Sequence, residues 1–118
     1  MDEYALDETQ FARLQRIGGD KLVRELLDLF LKNAPERLDE MKRGLATGDW
    51  PAVGLAAHSM KSKAANLGSR RLQELAAALE KAGDAAQEAE VRTLLPEFET
   101  ELTRILGLLS QRRAAMPS

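Results

Sequence analysis

Apolar residues recur at intervals of three and four along most of the chain, which is the spacing of one face of an α-helix. Together with the turn residues that interrupt it, this periodicity predicts five helices. Their ranges are 7–17, 20–46, 50–67, 69–82 and 87–112. Residues 1–6 carry no such pattern and are expected to form a loose N-terminus. Because we find no segment with the two-residue period of a strand, the predicted fold class is all-α.

Capping and turn residues mark the ends of these helices. Asp7 and Gln10 have the spacing of a capping box at the start of the first helix, and Gly18-Gly19 ends it. Asp20 is expected to cap the long second helix, which contains Pro35. The apolar pattern resumes in phase beyond this proline, so we expect a kink there, with a full break as the alternative.

Short turns between long helices favour antiparallel neighbours, so the four longer helices predict an up-down-up-down bundle. The short first helix would cover one end, and the 118 residues would form a single domain. Leu22 and Leu29 lie outside the main apolar stripe of the second helix and could pack against the first helix. The apolar positions of that first helix are Phe11, Leu14 and Ile17.

Composition excludes several classes of function. A net charge of −2 argues against nucleic-acid binding, and the absence of cysteine excludes disulfides and thiolate chemistry. One histidine and no cysteine leave only carboxylates for a metal site, and no Gly-rich phosphate loop is present. Neither a signal peptide nor a membrane-spanning segment is recognisable, so no membrane association and a cytoplasmic location are expected.

The only histidine, His58, lies in the third predicted helix, opposite the middle of its apolar arc. Lys61 is one turn away on the same face, and the neighbouring positions Gly54, Ser62 and Ala65 carry small residues. The ring should therefore face water on a surface cleared of bulky side chains. An imidazole placed in this way is accessible to a large partner.

This stretch resembles the histidine phosphotransfer (HPt) domain of multistep two-component relays. The family pattern Ala-His-x-Leu-Lys-Gly is matched by residues 57–62, which read Ala-His-Ser-Met-Lys-Ser. The Leu-Gly and Leu-Glu pairs that follow in the family correspond to Leu67-Gly68 and Leu79-Glu80. Residues 30–38 also resemble the preceding helix of such domains. The resemblance thus covers most of the chain.

The resemblance implies that His58 accepts a phosphoryl group from a receiver-domain aspartate or a kinase module and passes it to another receiver-domain aspartate. Lys61 would offset the charge of that group. Glu80 could accept the proximal ring N–H, or it could equally be a solvated charge. The implied partners are response-regulator receiver domains and a sensor or hybrid histidine kinase. The chain is expected to have no cofactor of its own and no ATP-dependent kinase activity. Magnesium is expected on the receiver. The chain is expected to be a monomer.

Partner docking is predicted around the histidine, at Gly54, Leu55, Ser62 and Ala65. Ser62 stands where the family usually has glycine, but it is still small. Leu55 could instead pack against another helix. The main alternative function is a helical interaction module, including a degenerate HPt domain without phosphotransfer. The intact His58–Lys61 pair argues against degeneracy, and the acidic balance makes a nucleic-acid binder a more distant alternative.

Overall fold

The structure is a computed structural model that describes residues 6–117 and consists of four α-helices. They are α1 (Glu8–Thr47), α2 (Trp50–Asn66), α3 (Arg70–Asp84) and α4 (Glu88–Ala114). Each helix packs against the next one in the chain, and α1 also packs against α4, which closes an antiparallel bundle. Residues 6–117 contain no strand. The predicted all-α bundle is therefore confirmed, while most of the predicted loose N-terminus lies outside the described residues.

Side chains that accept hydrogen bonds from free backbone N–H groups begin three of the helices. The carboxylate of Asp49 accepts from the backbone N–H of Ala52 at 3.2 Å, and the Ser69 hydroxyl accepts from that of Leu72 at 3.4 Å. At α1 the Asp7 carboxylate caps the backbone N–H of Thr9. Turn residues thus start α2 and α3 within a few residues of the preceding helix, as an antiparallel bundle requires.

The start of α1 differs from a capping box. The Gln10 side chain does not return to Asp7 but donates to the backbone carbonyl of Asn66 at 3.0 Å. The backbone N–H of Asp7 donates to the carbonyl of Gly68 at 2.9 Å. Both contacts tie the first turn of α1 to the α2–α3 turn. The capping-box prediction for Gln10 was wrong because this neighbouring carbonyl lies within reach only in the folded bundle.

The sequence predicts two interruptions within the range of α1, one at Gly18-Gly19 and one at Pro35. Gly19 departs from helical geometry with φ 65° and ψ −163°, a backbone conformation that favours glycine. The helical segment before Gly19 is thus set at an angle to the longer one after it. Pro35 lies inside the longer segment, which continues to Thr47, so the alternative of a full break at Pro35 is wrong.

The core is made of Leu, Ala, Met, Phe, Val and Ile side chains from all four helices. Large side chains with almost no exposure include Leu27, Met41, Met60, Leu72, Leu79, Phe98 and Leu102. Complete burial of each such side chain contributes about 1.5–3 kcal/mol relative to exposure. None of the helices within residues 6–117 combines the length and apolarity needed to cross a bilayer.

Two apolar residues lie outside this core. Leu22 packs at the edge of the core and close to Gly18, as expected. Leu29, however, is 54% exposed and is not part of the core. Ile17 is 65% exposed and lies two residues before the non-helical Gly19. Of the three apolar positions predicted for the first helix, only Phe11 and Leu14 are buried, and these two cover the end of the bundle.

Candidate functional site

His58 projects into solvent from the middle of α2, with 60% of its side chain exposed. The residues on the opposite side of α2, among them Val53, Ala57 and Met60, are completely buried. Amphipathic spacing alone therefore orients the helix so that the imidazole faces outward. A ring in this position is open to a reaction partner on its free edge.

Glu80 of α3 reaches across to His58 and Lys61 of α2. Its Oε2 lies 2.6 Å from Nδ1 of His58, and its Oε1 lies 2.7 Å from Nζ of Lys61. The Glu80 side chain is only 20% exposed. Glu80 is therefore not a freely solvated charge, since each carboxylate oxygen is occupied by a different side chain of the neighbouring helix.

The charge on Glu80 bears on which nitrogen of the His58 ring holds the proton in their contact. The hydrogen bond from the Lys61 ammonium is the largest cause holding the pKa of Glu80 below its ordinary value of 4.5; partial burial opposes it. An ionised carboxylate only accepts hydrogen bonds, so the proton in the contact resides on Nδ1 of His58. In the neutral ring, Nε2 then carries a free lone pair and points away from Glu80.

The four predicted docking positions have different environments. Ser62 is exposed, and Ala65 is half-buried. Leu55 is 73% exposed, so the alternative in which it packs against another helix is wrong. Ser62 and Leu55 thus form, with His58, an exposed face of α2.

Gly54 is buried rather than exposed, and its predicted place on the docking surface is wrong. A Cβ atom at this position would collide with the Asp84 carboxylate of α3. Gly54 therefore faces the neighbouring helix. The missing Cβ of Gly54 leaves room for the Asp84 side chain and does not clear space for a partner.

Gly83 and Asp84 also belong to this region, although neither was predicted to. The helix predicted over residues 69–82 corresponds to α3, which continues through Asp84. Gly83 is buried against α2, one turn beyond Glu80. The spacing could have indicated that Gly83 lies near the site, because residues 80 and 83 share one side of a helix.

A shallow groove beside His58 is lined by charged groups. Its lining residues are Lys61, Ala77, Glu80, Lys81, Asp84 and Ala85. Across residues 6–117 there is no group of three or more side chains suited to hold a metal ion. The chemistry carried by this region is therefore that of an exposed imidazole with a carboxylate on one ring nitrogen and ammonium groups nearby.

Comparison with known proteins agrees with this geometry. Residues 25–111 match the family described as Hpt domain. Among solved structures, the chain is similar to histidine-containing phosphotransfer protein B (HptB) from Pseudomonas aeruginosa PAO1, with 28% identity and a TM-score of 0.88. The match covers 95% of this chain and 96% of that one. No curated protein matches the sequence. This chain therefore belongs to the Hpt domain family and has a phosphotransfer relay function in two-component signalling.

Proposed function

We propose that Nε2 of His58 is the atom that carries the phosphoryl group in this relay. The observation that supports this most directly is the 2.6 Å contact of Nδ1 with Glu80, made by a ring that remains 60% exposed. One ring nitrogen is engaged by the protein and the other faces solvent with its lone pair free. Glu80 orients the ring, and Lys61 offsets the negative charge of the transferred phosphoryl group.

The transfer to this chain is a displacement at phosphorus. The Nε2 lone pair of His58 forms the N–P bond while the bond between phosphorus and the aspartyl oxygen of the donor breaks, and the donor carboxylate leaves with the electron pair. Nδ1 keeps its proton throughout. The ring therefore becomes a cation, whose positive charge is offset by the carboxylate of Glu80.

The return transfer uses the same arrangement in reverse. A carboxylate oxygen of the accepting receiver attacks phosphorus, the N–P bond breaks, and its electron pair returns to Nε2 of His58. Because Nδ1 still holds its proton, the ring departs as a neutral imidazole instead of an imidazolate, which is a far poorer leaving group. Glu80 thereby assists transfer in both directions without gaining or losing a proton.

Lys61 has a different role in this proposal. Its Nζ is 2.7 Å from Glu80, and its side chain is 36% exposed, so the ammonium lies at the rim of the site. When His58 carries the phosphoryl group, the added negative charge attracts this ammonium. Lys61 can then share its hydrogen bonds between Glu80 and the phosphoryl oxygens, which stabilises the phosphorylated form.

Hpt domains interact with receiver domains and kinases in phosphorelays. For this chain we propose a receiver domain that docks on the exposed face of α2 formed by Leu55, His58 and Ser62. The magnesium ion required at the receiver aspartate is supplied by the receiver. His58, Lys61 and Glu80 contact one another within a single chain, so the proposed transfer requires no residue from a second copy.

The test is transfer of labelled phosphate to the full chain from a phosphorylated receiver domain in the presence of magnesium. We expect label on the wild type that is lost in acid and retained in alkali, as for phosphohistidine, and no label on His58→Gln. A circular dichroism spectrum of His58→Gln serves as the folding control. Equal labelling of the two proteins would remove His58 from the role. Binding of the receiver without any labelling would support the interaction module instead.

A further inference from the structure

The most extensive helix–helix contact in the bundle is that between α2 and α3. At one point in this contact, two glycines meet. A Cβ atom built on Gly83 would lie 2.8 Å from the backbone nitrogen of Gly54 and 3.1 Å from its Cα. Separations below 3.0 Å are essentially never observed for real Cβ atoms, so the two backbones touch at a distance that alanine does not permit.

The glycine contact lies one turn from the site. Gly54 is four residues before His58, and Gly83 is three residues after Glu80. Because α2 and α3 run antiparallel, the Gly54–Gly83 contact and the His58–Glu80 contact occupy consecutive turns of the same interface. The separation of the helix axes at the glycines therefore sets the separation that the Glu80 side chain must span.

Glu80 is the side chain that crosses from α3 to α2 at this point. Its two carboxylate oxygens are engaged at the same time, at 2.6 Å from His58 and 2.7 Å from Lys61. His58 and Lys61 both belong to α2, so an outward movement of α3 carries the Glu80 carboxylate away from both partners at once. A displacement of α3 by about 1 Å would lengthen both contacts beyond good hydrogen-bond distance.

We infer that Gly54 and Gly83 are positioning residues for phosphotransfer. Their contact holds α3 close enough to α2 for Glu80 to engage Nδ1 of His58, and it thereby sets which ring nitrogen is protonated. This inference rests on the proposed role of His58. It differs from a purely structural role for the glycines because it ties them to one measurable property of the imidazole.

The test uses nitrogen NMR of the His58 ring, which is unambiguous because the chain contains one histidine. In the wild type at neutral pH, the neutral ring should carry its proton on Nδ1. Gly83→Ala should shift the ring toward protonation on Nε2 and slow phosphotransfer roughly 10- to 100-fold, the scale expected for a 1 Å misplacement. Gly107→Ala is the matched control, because a Cβ there meets nothing within 4 Å.

Gly54→Ala is a milder variant of the same contact. The added Cβ meets chiefly the carboxylate of Asp84, an exposed side chain that can rotate away. Its effect on the ring nitrogens should have the same direction as that of Gly83→Ala but be smaller. If Gly83→Ala does not fold, Gly54→Ala carries the test alone.

A comparison in the Glu80→Ala background separates positioning from structure. There, the added substitution Gly54→Ala or Gly83→Ala should change neither the protonation of His58 nor the transfer rate further. Wild-type nitrogen spectra in both folded glycine variants would overturn the inference, as would a rate loss of equal size in the Glu80→Ala background. The spectra are recorded without phosphate, so they stand apart from the labelling test of His58→Gln, whose failure would overturn the proposed function instead.

Discussion

Nδ1 of His58 lies 2.6 Å from Oε2 of Glu80, so one carboxylate from α3 fixes which nitrogen of the exposed imidazole of α2 faces the protein. The same carboxylate holds Lys61 through its second oxygen. Glu80 thus links the reactive ring to the cation beside it. The consequences of this link can be tested by changing each partner separately.

Removal of the Glu80 carboxylate should slow transfer without unfolding the bundle. For Glu80→Ala we expect a loss of roughly 10- to 100-fold, the range seen when a residue that orients a histidine is removed. Glu80→Gln keeps an acceptor oxygen but not the charge, so its loss should be smaller. The rate of label transfer from a phosphorylated receiver measures both. Glu74→Gln, on the exposed side of α3, is the control and should transfer at the wild-type rate.

The lowered pKa of Glu80 predicts how its contribution to stability depends on pH. The hydrogen bond from Lys61 is the main cause, so the folded protein binds a proton at Glu80 less readily than the unfolded chain does. The stabilisation is therefore complete above the ordinary value of 4.5 and is lost as pH falls through the lower folded value. Urea denaturation of wild type and Glu80→Gln across this window measures it. Their difference in stability should shrink on acidification; a difference that grows would contradict the assigned ion pair.

Neutralising Lys61 should weaken the phosphorylated form while the His58–Glu80 contact persists. For Lys61→Gln we expect transfer to slow by up to about tenfold, a modest effect for a removed charge because this side chain is at the solvent boundary. Lys61→Arg should recover most of the rate. Single-turnover labelling, with Lys32→Gln on the exposed side of α1 as the control, gives the comparison. A Lys61→Gln protein that transfers as fast as the wild type would remove Lys61 from the proposal.

The exposed face of α2 should be sensitive to bulk and charge. Ser62→Trp and Leu55→Asp should each weaken receiver binding at least about tenfold, since an obstructed contact at the centre of an interface costs more than about 1.4 kcal/mol. Thermal unfolding should remain close to that of the wild type because both positions are exposed. Leu108→Asp on α4, diagonally opposite α2, is the matched control. Unchanged binding titrations for both α2 variants would place the receiver elsewhere.

Much of this protein could be predicted from local pattern. Apolar spacing sets which face of a helix is buried, so the outward direction of His58 and the class of fold followed from the sequence. The start of α2 could also be predicted locally, because the Asp49 side chain caps its own helix and acts within three residues. The resemblance of residues 57–62 to a known family pattern then indicated the chemistry of the histidine.

Other features depend on where a second helix lies, and only the tertiary structure decided them. Gly54 lies one turn from His58 along α2, and it is buried because α3 approaches there with Gly83 and Asp84. Glu80 had two open interpretations because its distance from His58 depends on the register and separation of two helices. Periodicity describes directions around one helix axis, whereas the contacts of a bundle are set by distances between axes, which no single helix encodes.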